Sequence, residues 1–502
     1  MDLSAREALL QDSNQTLLST ELDGGQTISD SVEVESKTDS ATDGASAFER
    51  AAIKVVGSIP GLNDVAASPR FLTVLHGTAW TMVGYGVGQV LRLASTLLLA
   101  RLLVPEAFGL VALVNVFLGG LEMLTDLGIG LDVVQHKSGD DPLFINTAFL
   151  VQCVRGILIW IIATLLAFPF AHFYHQPAII ALAAVASLSV LFRGFAGGSV
   201  WLLLRHVQIG KLTTLNVSSD FIGFVVSVIW ALISPTMWAL VAGRIATALA
   251  FMIGSHLIPG HVASLKWDRT AGRDILMFGT GIFLSSATYF LSGQAERLVV
   301  AKFVTVAALG CFSLALSLSG AALGVVTQVS GQVFFPMISK ALREDRQRAA
   351  KHYRKTRFVF TALSIIVGIG FVAYSHRLVA FLLPPKYEMT GWMLQLLGWR
   401  AAQVIFASPA VNLTLACSDS RAAAVSNTVR LVAMLAGLWV AFTHFGLFAA
   451  IAVLALSATA GYLVYVGVVA RHLRSVIWAE IGGFALFVAA TAVAVFIPWP
   501  WR

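Results

Sequence analysis

The chain has 502 residues, 57% of them hydrophobic and 12% charged, with a mean hydropathy of +0.80. A soluble domain would be nearer a quarter charged, so this composition excludes one and implies a polytopic membrane protein. The net charge of +7 is unevenly spread: residues 1–70 hold twelve acids and five Lys or Arg, whereas the remainder holds fifteen acids and twenty-nine Lys or Arg.

Residues 1–70 are rich in Ser, Thr, Asp and Glu, and Phe48 is their only aromatic. Such a segment buries too little apolar surface to fold alone, so a disordered acidic cytoplasmic tail is expected. It lacks a basic start followed by an apolar core, so it does not read as a signal peptide.

A hydrocarbon core of about 30 Å needs roughly 20 helical residues. Apolar runs place spans near 73–100, 107–130, 143–169, 178–203, 211–233, 236–258, 274–302, 306–332, 356–380, 390–416, 422–442, 446–470 and 476–497. Residues 100–113 (ARLLVPEAFGLVAL) recur at an offset of 201 as residues 301–314 (AKFVTVAALGCFSL). Ala100, Ala107, Gly109 and Leu113 match Ala301, Ala308, Gly310 and Leu314, and Arg101 matches Lys302. The expected fold is therefore all-α, with two six-helix lobes (71–265 and 266–470) related by an internal repeat around a central cavity. Residues 471–502 supply one extra C-terminal helix. In carriers built from repeats the binding site lies at the repeat interface.

Loop charges orient the bundle. With the N-terminus cytoplasmic, inner connections carry seventeen Lys or Arg, including a run of eight from Lys340 to Arg357, and outer connections and the C-terminus carry five. This positive-inside bias predicts a cytoplasmic N-terminus. Trp499 and Trp501 near the chain end suit a membrane interface. The longest loop, about 333–355, is basic and expected to be helical and to touch anionic lipid. No segment after residue 70 is large enough for a catalytic domain, so no enzyme is expected. A membrane-embedded polymerase or ligase would need a large extracytoplasmic loop.

Cys153, Cys311 and Cys417 lie far apart in apolar segments and read as small buried hydrophobes. His172 and His175 have no third ligand nearby, so no metal is expected, and no motif implies a cofactor or a nucleic-acid partner. Gly84, Gly86 and Gly88 permit close helix approach. Trp80, Tyr85, Tyr289 and Phe290 read as packing or interface anchors ahead of sugar-stacking surfaces.

The main chemical signal is charge inside the spans. Arg92, Arg155, Arg193, Arg244, Arg297, Arg400 and Arg430 face four acids, Glu122, Asp126, Asp220 and Glu296. Glu480 sits near a helix start and reads as peripheral. A mid-helix Arg costs about 2.5–3.5 kcal/mol to insert, so these residues are expected to face the interior. An excess of positive charge there favours an anionic ligand. Arg155, Arg193, Arg400 and Arg430 are the best cavity candidates; Arg92 and Arg297 lie nearer the outer ends. Glu122 and Asp126 share a helix face and could bind a coupling cation, or neutralise Arg155 or Arg92; ion coupling would rest on these two with Asp220 and Glu296. Arg244 or Arg193 is the expected mate of Asp220. Glu296 and Arg297 point about 100° apart, so each needs a partner on another helix.

The stretch from Gly77 and Trp80 through LLLARLLVPEAFGLVALVNVF to LTDLGIGLDVVQHK resembles the start of Wzx-type polysaccharide flippases, a branch of the multidrug/oligosaccharidyl-lipid/polysaccharide exporter superfamily. VFFPMISKALREDRQRAAKHYRK (333–355), WLLLRHVQIGKLT (201–213) and MWALVAGRIAT (237–247) agree, and the resemblance covers roughly residues 71–470. It implies two six-helix lobes around a cavity, and flipping of undecaprenyl-diphosphate-linked oligosaccharides for exopolysaccharide, capsule or O-antigen assembly. The implied partners are that lipid-linked oligosaccharide, membrane lipids, and the polysaccharide polymerase and export machinery. The family's cavity arginines correspond by type and depth to Arg155, Arg193, Arg400 and Arg430. The extra span and the acidic tail depart from the family pattern. The alternative is a multidrug or cation-coupled exporter of the same superfamily, against which the excess of Arg speaks.

Overall fold

The computed structural model describes residues 69–125, 127–259 and 264–496. The expected tail, Asp126, Trp499 and Trp501 lie outside these residues, as do the side chains of Trp80, Tyr289 and Phe290. Among the described residues there is no strand. The first part of the chain forms α1 (Pro69–Leu102), α2 (Pro105–Leu124), α3 (Ile129–Gln135), α4 (Pro142–Tyr174), α5 (Ala178–Ala186), α6 (Leu188–Gly194), α7 (Ser199–Arg205), α8 (Ile209–Ile233) and α9 (Trp238–Leu257). The second part forms α10 (Arg269–Phe303), α11 (Val306–Val329), α12 (Phe335–Glu344), α13 (Arg346–Leu382), α14 (Thr390–Ala416), α15 (Ser420–His444), α16 (Gly446–His472) and α17 (Ile477–Phe496).

Local chemistry sets the boundaries. Pro105 and Pro142 occupy first-turn positions, where the missing N–H costs nothing. Asp141, Asp268, Thr305, Asp345 and Asp419 cap α4, α10, α11, α13 and α15, each accepting from a first-turn N–H. Nine of the described helices are long and apolar enough to cross a membrane, and a bent pair makes a tenth. Helix α14 falls outside that group, and most of its residues are buried against neighbouring helices.

Three expected boundaries change. The span expected over 107–130 stops at Leu124, because the Thr125 hydroxyl donates back to Leu121 O at 2.6 Å and Gly128 takes φ 58°, a left-handed conformation that glycine adopts without strain. The span expected over 178–203 breaks after Gly194 and bends by 61° before α7; the sequence there is FAGGS. The basic segment is helical, but it belongs to its neighbours: α11 continues through a π turn (Ser330–Phe334) into α12, and α13 begins at Arg346.

Arg357, expected in the cytoplasmic run, and Glu480, expected at the periphery, form a buried pair with 2% and 0% side-chain exposure. Arg357 Nε donates to Glu480 Oε2 at 2.7 Å and Nη1 donates to Phe406 O at 2.5 Å. The hydroxyls of Tyr353 and Tyr462 donate to the same carboxylate at 2.7 and 2.6 Å. Buried charge at this depth is tolerated because it is paired and hydrogen-bonded. The node ties α17 to α13, α14 and α16.

The two ends of the bundle are built differently. Around the turns α1–α2, α4–α5, α10–α11 and α13–α14, one buried cluster draws on both parts of the chain, from Leu110, Leu113 and Ile179 to Phe312, Leu397 and Leu454. Around the opposite turns the buried clusters are separate. One, with Phe334, Tyr353, Phe406 and Phe487, belongs to the second part alone, and another joins α3 and α4 to the start of α10. The repeat explains the first end. A Cβ at Gly109 would collide with Val306 O, and one at Gly310 would collide with Pro105 O. Pro105 and Val306 are themselves related by the offset of 201, so α2 and α11 cross reciprocally at a point where only glycine fits.

Candidate functional site

The α8–α9 hairpin closes through Gly223 and Gly243, where an added Cβ would collide with the Thr247 and Ser227 hydroxyls. This close approach sets Arg244 of α9 against α2 and α6. Its Nε donates to Ser189 Oγ at 2.8 Å, Nη1 to Asn115 Oδ1 at 2.5 Å and Nη2 to Glu122 Oε1 at 3.2 Å. Asn115 and Glu122 are seven residues apart, two turns along one face of α2. A cavity of about 360 Å³ opens between α1, α2, α8 and α9, lined by Arg92, Ser95, Thr96, Asn115, Asp220 and Arg244 among others. That volume falls within the range of small-ligand pockets.

A smaller cavity of about 120 Å³ is lined by Glu122, Gln152, Arg155 and Arg193. It sits where α4 and α6 meet through Gly156 and Gly194, each of whose missing Cβ would press on the other's backbone. Arg155 Nη2 donates to Glu122 O at 2.6 Å, and the Arg193 guanidinium lies 5.5 Å from the Phe251 ring. Asp220 has Arg92 and Arg193 as its charged neighbours.

The second part of the chain carries its own group. Arg400 Nη1 donates to Glu296 Oε2 at 2.5 Å, and Arg297 Nη1 donates to Gln294 Oε1 at 3.2 Å. Arg430 has Arg400 and Glu296 as charged neighbours. It lines a cavity of about 290 Å³ with Ser330, Gln403, Asn412 and Tyr465. Asn412 Nδ2 donates to Ser330 Oγ at 2.7 Å, inside the π turn. Among the described residues no three His, Cys, Asp or Glu side chains are grouped to hold a metal ion.

Residues 98–390 match the family described as "Polysaccharide biosynthesis protein". The chain belongs to this family. The chain is 23% identical over 320 residues to the succinoglycan biosynthesis transport protein ExoT of Rhizobium meliloti, covering 62% of this chain and 63% of that one. It is 22% identical over 331 residues to the lipopolysaccharide biosynthesis protein WzxC of Escherichia coli K12, covering 64% and 66%. The matches thus span just under two thirds of these relatives' length. Among solved structures, the lipid II flippase MurJ in an inward closed conformation superposes with a TM-score of 0.62 at 12% identity, over 84% of this chain and 98% of that one. An inward-facing multidrug resistance transporter of the MATE family gives a TM-score of 0.55 at 11% identity, over 82% and 96%. These likenesses establish the fold alone, an all-helical bundle shared with those membrane proteins.

Within this chain the expected site residues fall into two groups. Arg92, Arg155, Arg193 and Arg244 gather with Glu122 and Asp220; Arg297, Arg400 and Arg430 gather with Glu296. Glu122 takes Arg244 as its ion-pair partner, while Arg155 binds the backbone carbonyl of the same residue. Asn115, Ser95 and Thr96 carry no charge, so buried charge in the sequence does not point to them. One signal was available: Ser95 and Thr96 sit 201 residues before Glu296 and Arg297.

Proposed function

We propose that the protein flips a polyprenyl-diphosphate-linked oligosaccharide across the cell inner membrane for exopolysaccharide, capsule or O-antigen assembly. The observation that carries this reading is the lining of the first-part cavities: four guanidiniums, on α1, α4, α6 and α9, against the carboxylates of Glu122 and Asp220. A diphosphate entering such a cavity exchanges water for guanidinium donors, which lowers the electrostatic cost of crossing hydrocarbon. Residues 71–265 and 266–470 would act as two lobes that rock against each other, with 471–502 as an added helix and the N-terminus cytoplasmic. Family membership and the likeness to ExoT, a succinoglycan biosynthesis transport protein, and WzxC, a lipopolysaccharide biosynthesis protein, support the cargo class.

The test is polysaccharide export by a strain carrying Arg92→Ala, Arg155→Ala, Arg193→Ala and Arg244→Ala together. Export is expected to fall to background with protein level intact. Parent-level export would overturn the reading. The MATE-like fold keeps a multidrug exporter as the second reading, and a deletion strain with altered drug susceptibility and normal polysaccharide would favour it. Ion coupling, if present, would use Asp220, since Glu122 and Glu296 each hold an arginine already. Flipping that ignores collapsed proton and sodium gradients would count against it.

A further inference from the structure

At the end where the two parts share one core, four hydrogen bonds cross between them in a reciprocal pattern. Tyr174, the last residue of α4, donates its hydroxyl to Leu298 O of α10 at 3.0 Å. Tyr387, in the turn between α13 and α14, donates its hydroxyl to Leu103 O, just past α1, at 2.9 Å. Lys302 Nζ donates to Phe173 O at 2.6 Å, and Lys386 Nζ donates to Arg101 O at 3.3 Å. In each case the turn after the third long helix of one part meets the end of the first long helix of the other. Both lysines reach carbonyls in the last turn of a helix, which have no partner within the helix and carry the negative end of its dipole.

We infer that Tyr174 and Tyr387 are paired latch residues, each closing one part of the chain onto the other at this end, with Lys302 and Lys386 as their outer fasteners. Three features fit a latch better than permanent glue. The bonds are few and each is worth little net free energy. The lysine bonds lie at exposed positions, where water competes for them. Beneath them α2 and α11 cross at Gly109 and Gly310, where backbone meets backbone with no side chain between, inside the cluster that both parts share. At the opposite end one cluster belongs to the second part alone and a small one joins α3 and α4 to the start of α10, so the contact between the parts is concentrated at this end. The inference rests on the transport reading only in requiring that this end opens, whatever the cargo.

Cys311 is a built-in reporter. It is 3% exposed, follows Gly310 in the crossing, and lies near Glu106 of α2 and Tyr387. With Cys153→Ala and Cys417→Ala it becomes the single thiol of the full chain. Its labelling by a membrane-impermeant maleimide can then be timed on intact cells and on inside-out vesicles. Loss of one net hydrogen bond shifts an equilibrium about two- to twelvefold. The pair Tyr174→Phe and Tyr387→Phe should therefore speed labelling roughly tenfold or more from the cell exterior, with comparable shares from each single change. Parent-rate labelling from both faces, at parent-level protein, overturns the latch and leaves the flippase reading standing, because that reading is measured by export. If the Phe pair accumulates poorly, Lys302→Gln with Lys386→Gln removes the exposed fasteners and carries the same expectation. Unchanged labelling there overturns the inference equally.

Discussion

Two ion pairs of the same chemistry occupy opposite surroundings in this protein. Arg357 and Glu480 are 2% and 0% exposed and are met by two phenols and a main-chain carbonyl, with the guanidinium 4.1 Å from the Phe406 ring centre. Arg244 and Glu122 are 31% and 36% exposed, and their other partners, Asn115 and Ser189, are small and neutral. The first pair has no room for another ligand. The second lines cavities and can trade partners at small cost. An intramembrane arginine is therefore informative only together with its exposure: a saturated one fastens helices, and a half-hydrated one can receive an anion.

The strongest way to break this comparison is to remove one member of the buried pair. Glu480→Gln leaves Arg357 as an uncompensated buried charge, a change that costs about 3–5 kcal/mol. We expect a sharp loss of thermal stability in detergent, and low accumulation in cells. The double change Arg357→Met with Glu480→Met removes both charges and should recover most of that loss, since well-packed apolar replacements of buried pairs are near neutral. If Glu480→Gln melted like the parent, the fastening role of the node would be wrong. Arg244→Ala is the matching experiment on the cavity side. A third-exposed pair contributes only about 0–1 kcal/mol, so melting should barely move while polysaccharide export falls. An Arg244→Ala protein that unfolds as readily as Glu480→Gln would erase the distinction.

Much of the fold was legible in the sequence because apolar runs of membrane length carry their own boundaries. Helix α14 begins and ends where the run 390–416 does, and α16 begins at the expected Gly446. The repeat was legible too, but its cause was not: that Gly109 and Gly310 are the two faces of one helix crossing depends on a contact between segments 201 residues apart. The same distance hid the buried node. Arg357 closes a run of cations and looked like one more orientation signal, yet Tyr353 stands four residues before it on the same helix face, and the apolar segment FVFTALSIIV follows at once. That placement marked it as a span residue, but nothing local could name Glu480, 123 positions on. Within the candidate site, residue types were readable and partners were not. Asp220 was expected beside Arg244 or Arg193; Arg193 is one of its charged neighbours, and Arg92, not named for it, is the other.

The smallest expected effect lies outside the spans and sharpens the contrast from the exposed extreme. Arg205 Nε donates to Asp140 Oδ2 at 2.8 Å, and its Nη1 donates to the carbonyls of Val133, Val134 and His136, closing the end of α3. The hydrogen bond from Arg205 holds the Asp140 carboxyl below its ordinary value of 3.8, and His206 assists. A carboxyl with a lowered folded-state pKa contributes stability that is fully present above its unfolded pKa and is lost as pH falls through the folded one. Asp140→Asn should thus lower the melting temperature slightly at neutral pH. The gap to the parent should hold down to about pH 4 and narrow below it. A gap that widened on acidification would contradict this assignment. Asp140 is more than half exposed, and Arg205 keeps its three carbonyl partners without it. The loss should therefore fall below that of Arg244→Ala, giving a series in which cost follows how far each carboxylate has left water.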